Sequence, residues 1–136
     1  MTGRRRLRVL VVDDDPIVAD TTVSILTQHG FEAKAVYSGE AAVYQAAETR
    51  PGVLLTDVVM QGMTGIETAI KIREVCPNCR VLIFSGNPVT TQYLAEAEAQ
   101  GHSFEVLPKP LPPAVLIDRL SRSDGDSGGH WERFAA

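Results

Sequence analysis

A chain of 136 residues has the usual size of one domain, and its apolar and charged fractions of 44% and 22% are those of an ordinary globular protein. These values exclude the disordered and fibrous classes, and no apolar run approaches the roughly 18 residues that a transmembrane helix needs. The net charge of -4 argues against a nucleic-acid binder, and the start lacks the apolar segment of a signal peptide. We therefore expect a cytoplasmic protein that binds neither nucleic acid nor a membrane.

Short runs rich in Val, Leu and Ile alternate with amphipathic stretches along the chain, which predicts parallel strands joined by crossover helices. In chain order the predicted elements are strand 7–12, helix 16–29, strand 32–37, helix 39–48, strand 52–56, helix 64–75, strand 80–84, helix 89–100, strand 103–107 and helix 112–121. Asp15 before Pro16 is typical of a helix start, and Gly30 is typical of a helix end. Five such units predict an open, doubly wound α/β sheet with right-handed crossovers.

The pattern divides the chain into three segments. Residues 1–6 form a basic N-terminal extension, 7–121 form the domain, and 122–136 form a tail rich in Ser, Gly and Asp that carries Trp131 and Phe134. The tail has no core of its own and leaves no room for an output domain, so we expect a single-domain protein.

Two cysteines, Cys76 and Cys79, form a CPNC sequence that resembles a redox motif. A redox pair needs a lowered thiol pKa, commonly supplied by a helix N-terminus, but Cys76 closes a predicted helix and Cys79 precedes a strand. Zinc would need two further ligands, and the histidines show no ligand spacing to the pair. We expect reduced thiols with no redox or metal function.

Polar residues follow the carboxyl ends of four predicted strands, where doubly wound sheets bind their ligands. They are Asp13, Asp14 and Asp15 after the first strand, Asp57 after the third, Ser85 after the fourth and Lys109 after the fifth. Crowded carboxylates repel one another unless a cation lies among them, and an all-oxygen ligand set suits Mg²⁺. A lysine and a serine hydroxyl can bind phosphate oxygens. The residues predict a phosphoryl site with a carboxylate as nucleophile, while Asp15 is the expected N-cap of the first helix.

Four segments, VLVVDDDP, LLTDVVMQGMTG, VLIFSG and LPKP, resemble the receiver domain of bacterial response regulators. The resemblance covers about residues 7–121, and all four segments have the family's order and spacing. It implies a CheY-like, flavodoxin-like (βα)5 fold with a parallel sheet of strand order 2-1-3-4-5. It also implies a regulatory phosphoacceptor, which is not an enzyme beyond its own phosphorylation and dephosphorylation.

The resemblance also assigns roles to individual residues. It implies that Asp57 is the phosphoacceptor, and that Mg²⁺ is held directly by Asp14 and Asp57, through water by Asp13 and by the backbone carbonyl of Val59. Ser85 and Lys109 are then the switch hydroxyl and the lysine that contact the phosphoryl group, and Pro110 follows a cis peptide bond.

Two positions depart from the family pattern. The switch position that usually holds an aromatic residue is Val106 here. We hypothesise that phosphorylation is coupled to the surface of helix 4, strand 5 and helix 5 less sharply, or through Phe104, two residues earlier. Val59 has an apolar side chain that cannot orient an attacking water, which predicts slow autodephosphorylation unless Asn87 holds that water instead.

The resemblance implies a sensor histidine kinase or a phosphotransfer protein as phosphoryl donor and an unknown downstream protein as target. Dimerisation through helices 4 and 5 stays open. Two alternatives also stay open. An aspartate-nucleophile phosphatase or phosphotransferase would need a lid, for which the connections are too short. The second alternative is a flavodoxin-like cofactor binder or a fixed interaction module of the same fold, although the sequence has no GxGxxG loop to hold a cofactor phosphate.

Overall fold

The computed structural model describes residues 6–86, 89–102, 104–109 and 111–122. Within these residues five strands alternate with five helices: β1 Arg8–Val12, α1 Pro16–Gln28, β2 Glu32–Val36, α2 Gly39–Thr49, β3 Val53–Asp57, α3 Gly65–Val75, β4 Arg80–Ser85, α4 Val89–Ala99, β5 Glu105–Pro108 and α5 Pro113–Ser121. Every predicted element is present, and the bounds agree to within one residue except at the start of β5.

The start of β5 was predicted two residues too early. β5 pairs with β4 only from Glu105, which lies opposite Leu82. Phe104, just before it, is buried in the core without belonging to the strand. The apolar character of this residue therefore reflects core packing at the entrance to the strand rather than strand pairing.

The strands form one parallel sheet in the order β2-β1-β3-β4-β5, which confirms the predicted doubly wound fold. The chain turns from β1 outward to β2 and then returns across β1 to β3. The order therefore reverses between β1 and β3, and this is the place where doubly wound sheets bind ligands.

The helix starts follow the signals in the sequence. The Asp15 side chain accepts a hydrogen bond from the Ile17 backbone N–H and caps α1, as predicted. At α3, Thr64 and Glu67 form a reciprocal capping box. Since α1 and α3 follow β1 and β3, these caps fix the two helix starts that border the point of strand reversal.

Alternate strand residues fill two hydrophobic cores, one on each face of the sheet. One core contains Leu10, Leu54 and Ile83 with the buried residues of α2, α3 and α4. The other contains Val9, Leu55 and Leu82 with the buried residues of α1 and α5. Both faces of the central strands are therefore covered, which leaves the strand ends for the polar residues. None of the described helices is both long enough and apolar enough to span a bilayer.

Candidate functional site

The predicted polar residues lie at one edge of the sheet. Asp57 and Ser85 are the last residues of β3 and β4, whereas Asp13 and Lys109 directly follow β1 and β5. The parallel register pairs Val12 with Thr56 and Ser85 with Pro108, so all four strands end at nearly the same level. The structure thus brings together the side chains that the sequence placed on separate strands.

Asp57 and Lys109 form the central contact of this edge. The Lys109 Nζ atom lies 3.0 Å from Oδ2 of Asp57, and the other carboxylate oxygen, Oδ1, accepts a hydrogen bond from the Val58 backbone N–H at 2.9 Å. The Asp57 side chain is 19% exposed and that of Lys109 is 37% exposed. The carboxylate is therefore oriented from two sides and is still reachable from solvent.

Asp13 is the most deeply buried acid of the site, with 6% of the residue exposed. Burial raises the pKa of Asp13, while a backbone hydrogen bond from Asp15 opposes the increase. The negative charge of Asp57 raises this pKa further, and the positive charge of Lys109 lowers it. A nearby cation stabilises the ionised form of an acid in this environment.

Asp14 is exposed and lies beside the loop that follows β3. Its Oδ2 atom accepts a hydrogen bond from the Gln61 backbone N–H at 3.1 Å. Asp14 therefore links the β1–α1 loop to the β3–α3 loop across the point of strand reversal.

The donor set suits Mg²⁺ because all its ligands are oxygens. Among the described residues, no three carboxylate, histidine or cysteine side chains converge as a ready-made metal site. Mg²⁺ does not require such a cage, since it keeps several waters and takes one or two carboxylates. The predicted set of Asp14, Asp57, water-linked Asp13 and the Val59 carbonyl is compatible with that preference and stays a prediction.

Ser85 lies beside Lys109 through the backbone. The Lys109 N–H donates to the Ser85 carbonyl at 2.9 Å, and Gly86 packs so closely that a Cβ there would lie 3.2 Å from the Lys109 Cβ. Ser85 itself is half-buried. The switch role of its hydroxyl stays a prediction, as does the contact of Lys109 with a phosphoryl group.

Phe104 lies at the opposite end of β5 from the site. Its ring is buried, stacks on His102 and carries the Arg73 guanidinium 4.9 Å from its centroid. Phe104 precedes Pro108 by four positions, which is a distance of about 13 Å along an extended strand. Val106 is half-buried. The hypothesis that Phe104 replaces the missing aromatic at Val106 stays a prediction.

Three predicted features lie outside the described residues. They are the cis peptide at Pro110, the water-holding role of Asn87 and the segment 122–136 beyond its first residue, for whose Trp131 and Phe134 the sequence predicts no role. The division into segments 1–6, 7–121 and 122–136 likewise stays a prediction.

Sequence reasoning missed two neighbours of Asp57. Thr56 is fully buried, and its hydroxyl donates to the Asp57 backbone carbonyl at 2.9 Å. At Gly65 an added Cβ would overlap the same carbonyl oxygen. One signal was available, because Thr56 is the single hydroxyl residue in the otherwise apolar run that precedes Asp57.

The two cysteines lie away from this edge, and both are free and buried. Burial, and next to it the neighbouring Cys76, raises the pKa of Cys79 to about 12. A redox or metal role needs a thiolate near neutral pH, so this environment opposes both roles.

We expect Cys79 to resist iodoacetamide at pH 8 in the folded protein and to react once urea unfolds the chain. The reason is that the thiolate, which is the reactive form, is suppressed by burial. The unfolded thiol ionises near its ordinary pKa of 9.0, whereas the folded thiol keeps its proton up to about 12. Stability should therefore fall as the pH rises above 9, by about 1 kcal/mol per pH unit.

Urea unfolding at pH 8 and pH 10 measures this loss, with Cys79→Ala as the control for other groups that titrate in the same range. Rapid alkylation of Cys79 in the folded parent, or an equal loss in both proteins, would contradict the burial argument.

Comparison with known proteins gives one family. The response regulator receiver domain family matches residues 9–121. The chain is 30% identical to the probable transcriptional regulatory protein TcrX of Mycobacterium tuberculosis over 88% of this chain and 53% of TcrX. It is 30% identical to the transcriptional activator protein ExaE of Pseudomonas putida over 84% of this chain and 53% of ExaE. The chain spans about half the length of these curated relatives.

Among solved structures, the chemotaxis protein CheY4 of Vibrio cholerae superposes with a TM-score of 0.74 at 28% identity. The match covers 87% of this chain and 98% of CheY4.

Proposed function

Because this chain belongs to the response regulator receiver domain family, we propose that it accepts a phosphoryl group on Asp57 and signals through the resulting change in its protein contacts. The observation that carries the proposal is the 3.0 Å contact of Lys109 with Asp57 Oδ2 at the point of strand reversal, beside the acids Asp13 and Asp14. A carboxylate held among further acids and one lysine is suited to forming an acyl phosphate.

The donor in this proposal is a phosphohistidine on a sensor kinase or a phosphotransfer protein. An oxygen of Asp57 attacks the phosphorus atom, the new O–P bond forms as the P–N bond breaks, and the imidazole leaves with the electron pair. Lys109, already in contact with Asp57, offsets the negative charge of the incoming phosphoryl group as a point charge. Ser85 donates its hydroxyl to a phosphoryl oxygen.

Mg²⁺ would be held by Asp14 and Asp57, by Asp13 through water and by the Val59 carbonyl. When bound, it would neutralise phosphoryl oxygens during the transfer. This chain's own residues would hold the ion beside Asp57. Two of them are fixed for this by backbone donors, since the Asp15 N–H donates to Asp13 and the Gln61 N–H donates to Asp14.

The output in this proposal is a phosphorylation-dependent contact with another protein. The phosphoryl group shifts a two-state equilibrium to the extent that it interacts differently with the two states. TcrX and ExaE are named as transcriptional regulators, and this chain matches about half of each. We propose that the described domain does not contact nucleic acid. We also propose a cytoplasmic location, where a kinase can phosphorylate the protein.

Intact mass after incubation with acetyl phosphate and Mg²⁺ tests the proposal. We expect a gain of one phosphoryl group that is lost in Asp57→Asn and in EDTA. Asp118→Asn, which removes an exposed carboxylate on α5, serves as the matched control and should gain the group normally. No gain in a folded parent, either from acetyl phosphate or from a histidine-phosphorylated donor, would favour a fixed interaction module.

We expect Val59→Asn to shorten the lifetime of the phosphorylated protein by about tenfold. Val59 is 50% exposed two residues beyond Asp57, where an amide side chain can orient a water for in-line attack and a valine side chain cannot. The measurement is the loss of phosphorylated protein after the donor is removed, followed by intact mass. Val115→Asn, another exposed valine on α5, is the control. An unchanged lifetime in Val59→Asn would show that the attacking water is positioned elsewhere.

A further inference from the structure

We infer that Thr56 is a positioning residue for Asp57, an inference that rests on the proposed phosphoacceptor role. Thr56 precedes Asp57 in β3 and is fully buried among apolar neighbours. A buried hydroxyl costs free energy unless it is hydrogen-bonded. The Thr56 hydroxyl meets this need by donating to the Asp57 backbone carbonyl at 2.9 Å.

The peptide group that receives this hydrogen bond also holds the carboxylate. Its carbonyl belongs to Asp57 and its N–H belongs to Val58, and that N–H donates to Asp57 Oδ1 at 2.9 Å. Hydrogen bonds in series polarise one another, so donation to the carbonyl strengthens the N–H as a donor. Thr56, the peptide group and the Asp57 carboxylate therefore form one continuous chain of hydrogen bonds.

This series of hydrogen bonds sets the rotation of the Asp57 carboxylate. Oδ1 is engaged by the Val58 N–H, and Oδ2 is turned toward Lys109. The two oxygens are thus distinguished before any donor arrives, which lowers the reorganisation needed for attack.

The start of α3 packs against this peptide group and is hydrogen-bonded to the peptide group that follows it. The Gly65 N–H donates to the Val58 carbonyl at 2.9 Å, and a Cβ added at Gly65 would lie 3.0 Å from the Thr56 hydroxyl oxygen. The first turn of α3 therefore packs directly on Thr56 and on the peptide that it contacts. Removal of the Thr56 hydroxyl should therefore change the position of the Asp57 carboxylate, because the loop cannot shift to compensate.

A purely structural role for Thr56 makes a different prediction. A buried threonine in a strand also stabilises the fold by its shape, and valine reproduces that shape without the hydroxyl. Thr56→Val separates the two roles, and Thr56→Ser supplies the hydroxyl without the methyl group. Thr68→Val is the matched control, because Thr68 is also fully buried and its hydroxyl bonds to the Thr64 carbonyl at the start of α3.

The first measurement is the rate of phosphorylation by acetyl phosphate at saturating Mg²⁺. We expect Thr56→Val to react about five- to tenfold more slowly, the rate equivalent of roughly one hydrogen bond. The loss should appear in the maximal rate rather than in the half-saturating donor concentration. Thr56→Ser should recover most of the parent rate, and Thr68→Val should match the parent. Thr56→Ala replaces Thr56→Val if the valine variant does not fold.

The second measurement reads the hydrogen-bond chain without phosphorylation. In amide NMR spectra, the Val58 amide proton should move upfield in Thr56→Val, as its hydrogen bond weakens, and stay in place in Thr68→Val. A stationary Val58 amide, or a Thr56→Ser variant as slow as Thr56→Val, would overturn the inference. If the Val58 amide moves but the parent accepts no phosphoryl group, the positioning of the carboxylate stands and the proposed function fails.

Discussion

Gly65→Ala should destabilise the domain by about 2 kcal/mol and slow the phosphorylation of Asp57 severely. An alanine normally stabilises a helix relative to glycine by up to about 1 kcal/mol. Here the sign reverses, because a Cβ on Gly65 would overlap the carbonyl oxygen and carbon of Asp57, which are backbone atoms that cannot rotate away. Overpacking of this kind typically costs about 1 to 3 kcal/mol.

The functional loss should exceed what the stability loss explains. Relief of the overlap requires β3 and α3 to separate at the peptide group whose N–H holds Asp57 Oδ1. Urea unfolding and phosphorylation by acetyl phosphate measure the two effects separately.

Gly52→Ala is the control for this prediction. Its added Cβ would approach the Leu7 Cδ1 atom at 2.9 Å, but a side-chain methyl group can turn aside. We expect a small loss of stability and a normal phosphorylation rate. A Gly65→Ala variant that is as stable and as reactive as the parent would mean that α3 shifts freely against β3, in conflict with the packing described above.

The sequence was sufficient to predict the fold because its separate signals, namely hydrophobic runs, segment lengths and boundary residues, agree with one another. The apolar runs have strand length, the intervening segments have helix length, and residues such as Asp15 mark the boundaries. The edge position of Asp57, Ser85 and Lys109 followed from one further rule, that parallel strands end together. The start of β5 was misplaced by two residues. In a sequence, a buried residue just before a strand, such as Phe104, has the same apolar character as a residue within the strand.

The contacts within the edge could not be predicted in the same way. The hydrogen bond of Asp14 to the Gln61 N–H and that of Thr56 to the Asp57 carbonyl depend on loop and backbone geometry that no residue pattern specifies. The family resemblance supplied roles for the charged residues, but it said nothing of Thr56. Hydrogen bonds to backbone atoms leave the weakest trace in a sequence because many side chains can make them.

A second feature hidden from the sequence is a buried ion cluster at the opposite end of the sheet. Arg80, the first residue of β4, donates to both oxygens of Glu105 at 2.6 Å and 3.0 Å. Arg119 of α5 lies 3.3 Å from the same carboxylate. Arg80 also donates to the Arg119 backbone carbonyl at 3.1 Å, which ties the end of α5 to the sheet. In the sequence these residues are ordinary charges at the ends of elements.

Glu105→Gln should destabilise the domain by about 3 to 5 kcal/mol, the usual cost of removing one partner from a buried charge cluster. The side chains of Glu105 and Arg80 are each 8% exposed, and that of Arg119 is 2% exposed. Glutamine keeps the shape but removes the negative charge, so two buried guanidinium groups are left to repel each other. The measurement is urea unfolding, with the slope checked for two-state behaviour.

Glu32→Gln is the matched control, because Glu32 forms an exposed ion pair with Arg8 at 3.5 Å, where both side chains are more than half exposed. Its loss should stay below about 1 kcal/mol and should shrink further at a salt concentration of about 0.5 M, since solvent and salt screen exposed pairs. The loss in Glu105→Gln should persist in salt because the cluster is buried. A Glu105→Gln loss as small as that of Glu32→Gln would mean that backbone carbonyls such as that of Arg119 satisfy the guanidinium groups without the carboxylate. The attachment of α5 to the sheet would then depend on those carbonyls and on the apolar core rather than on the ion cluster.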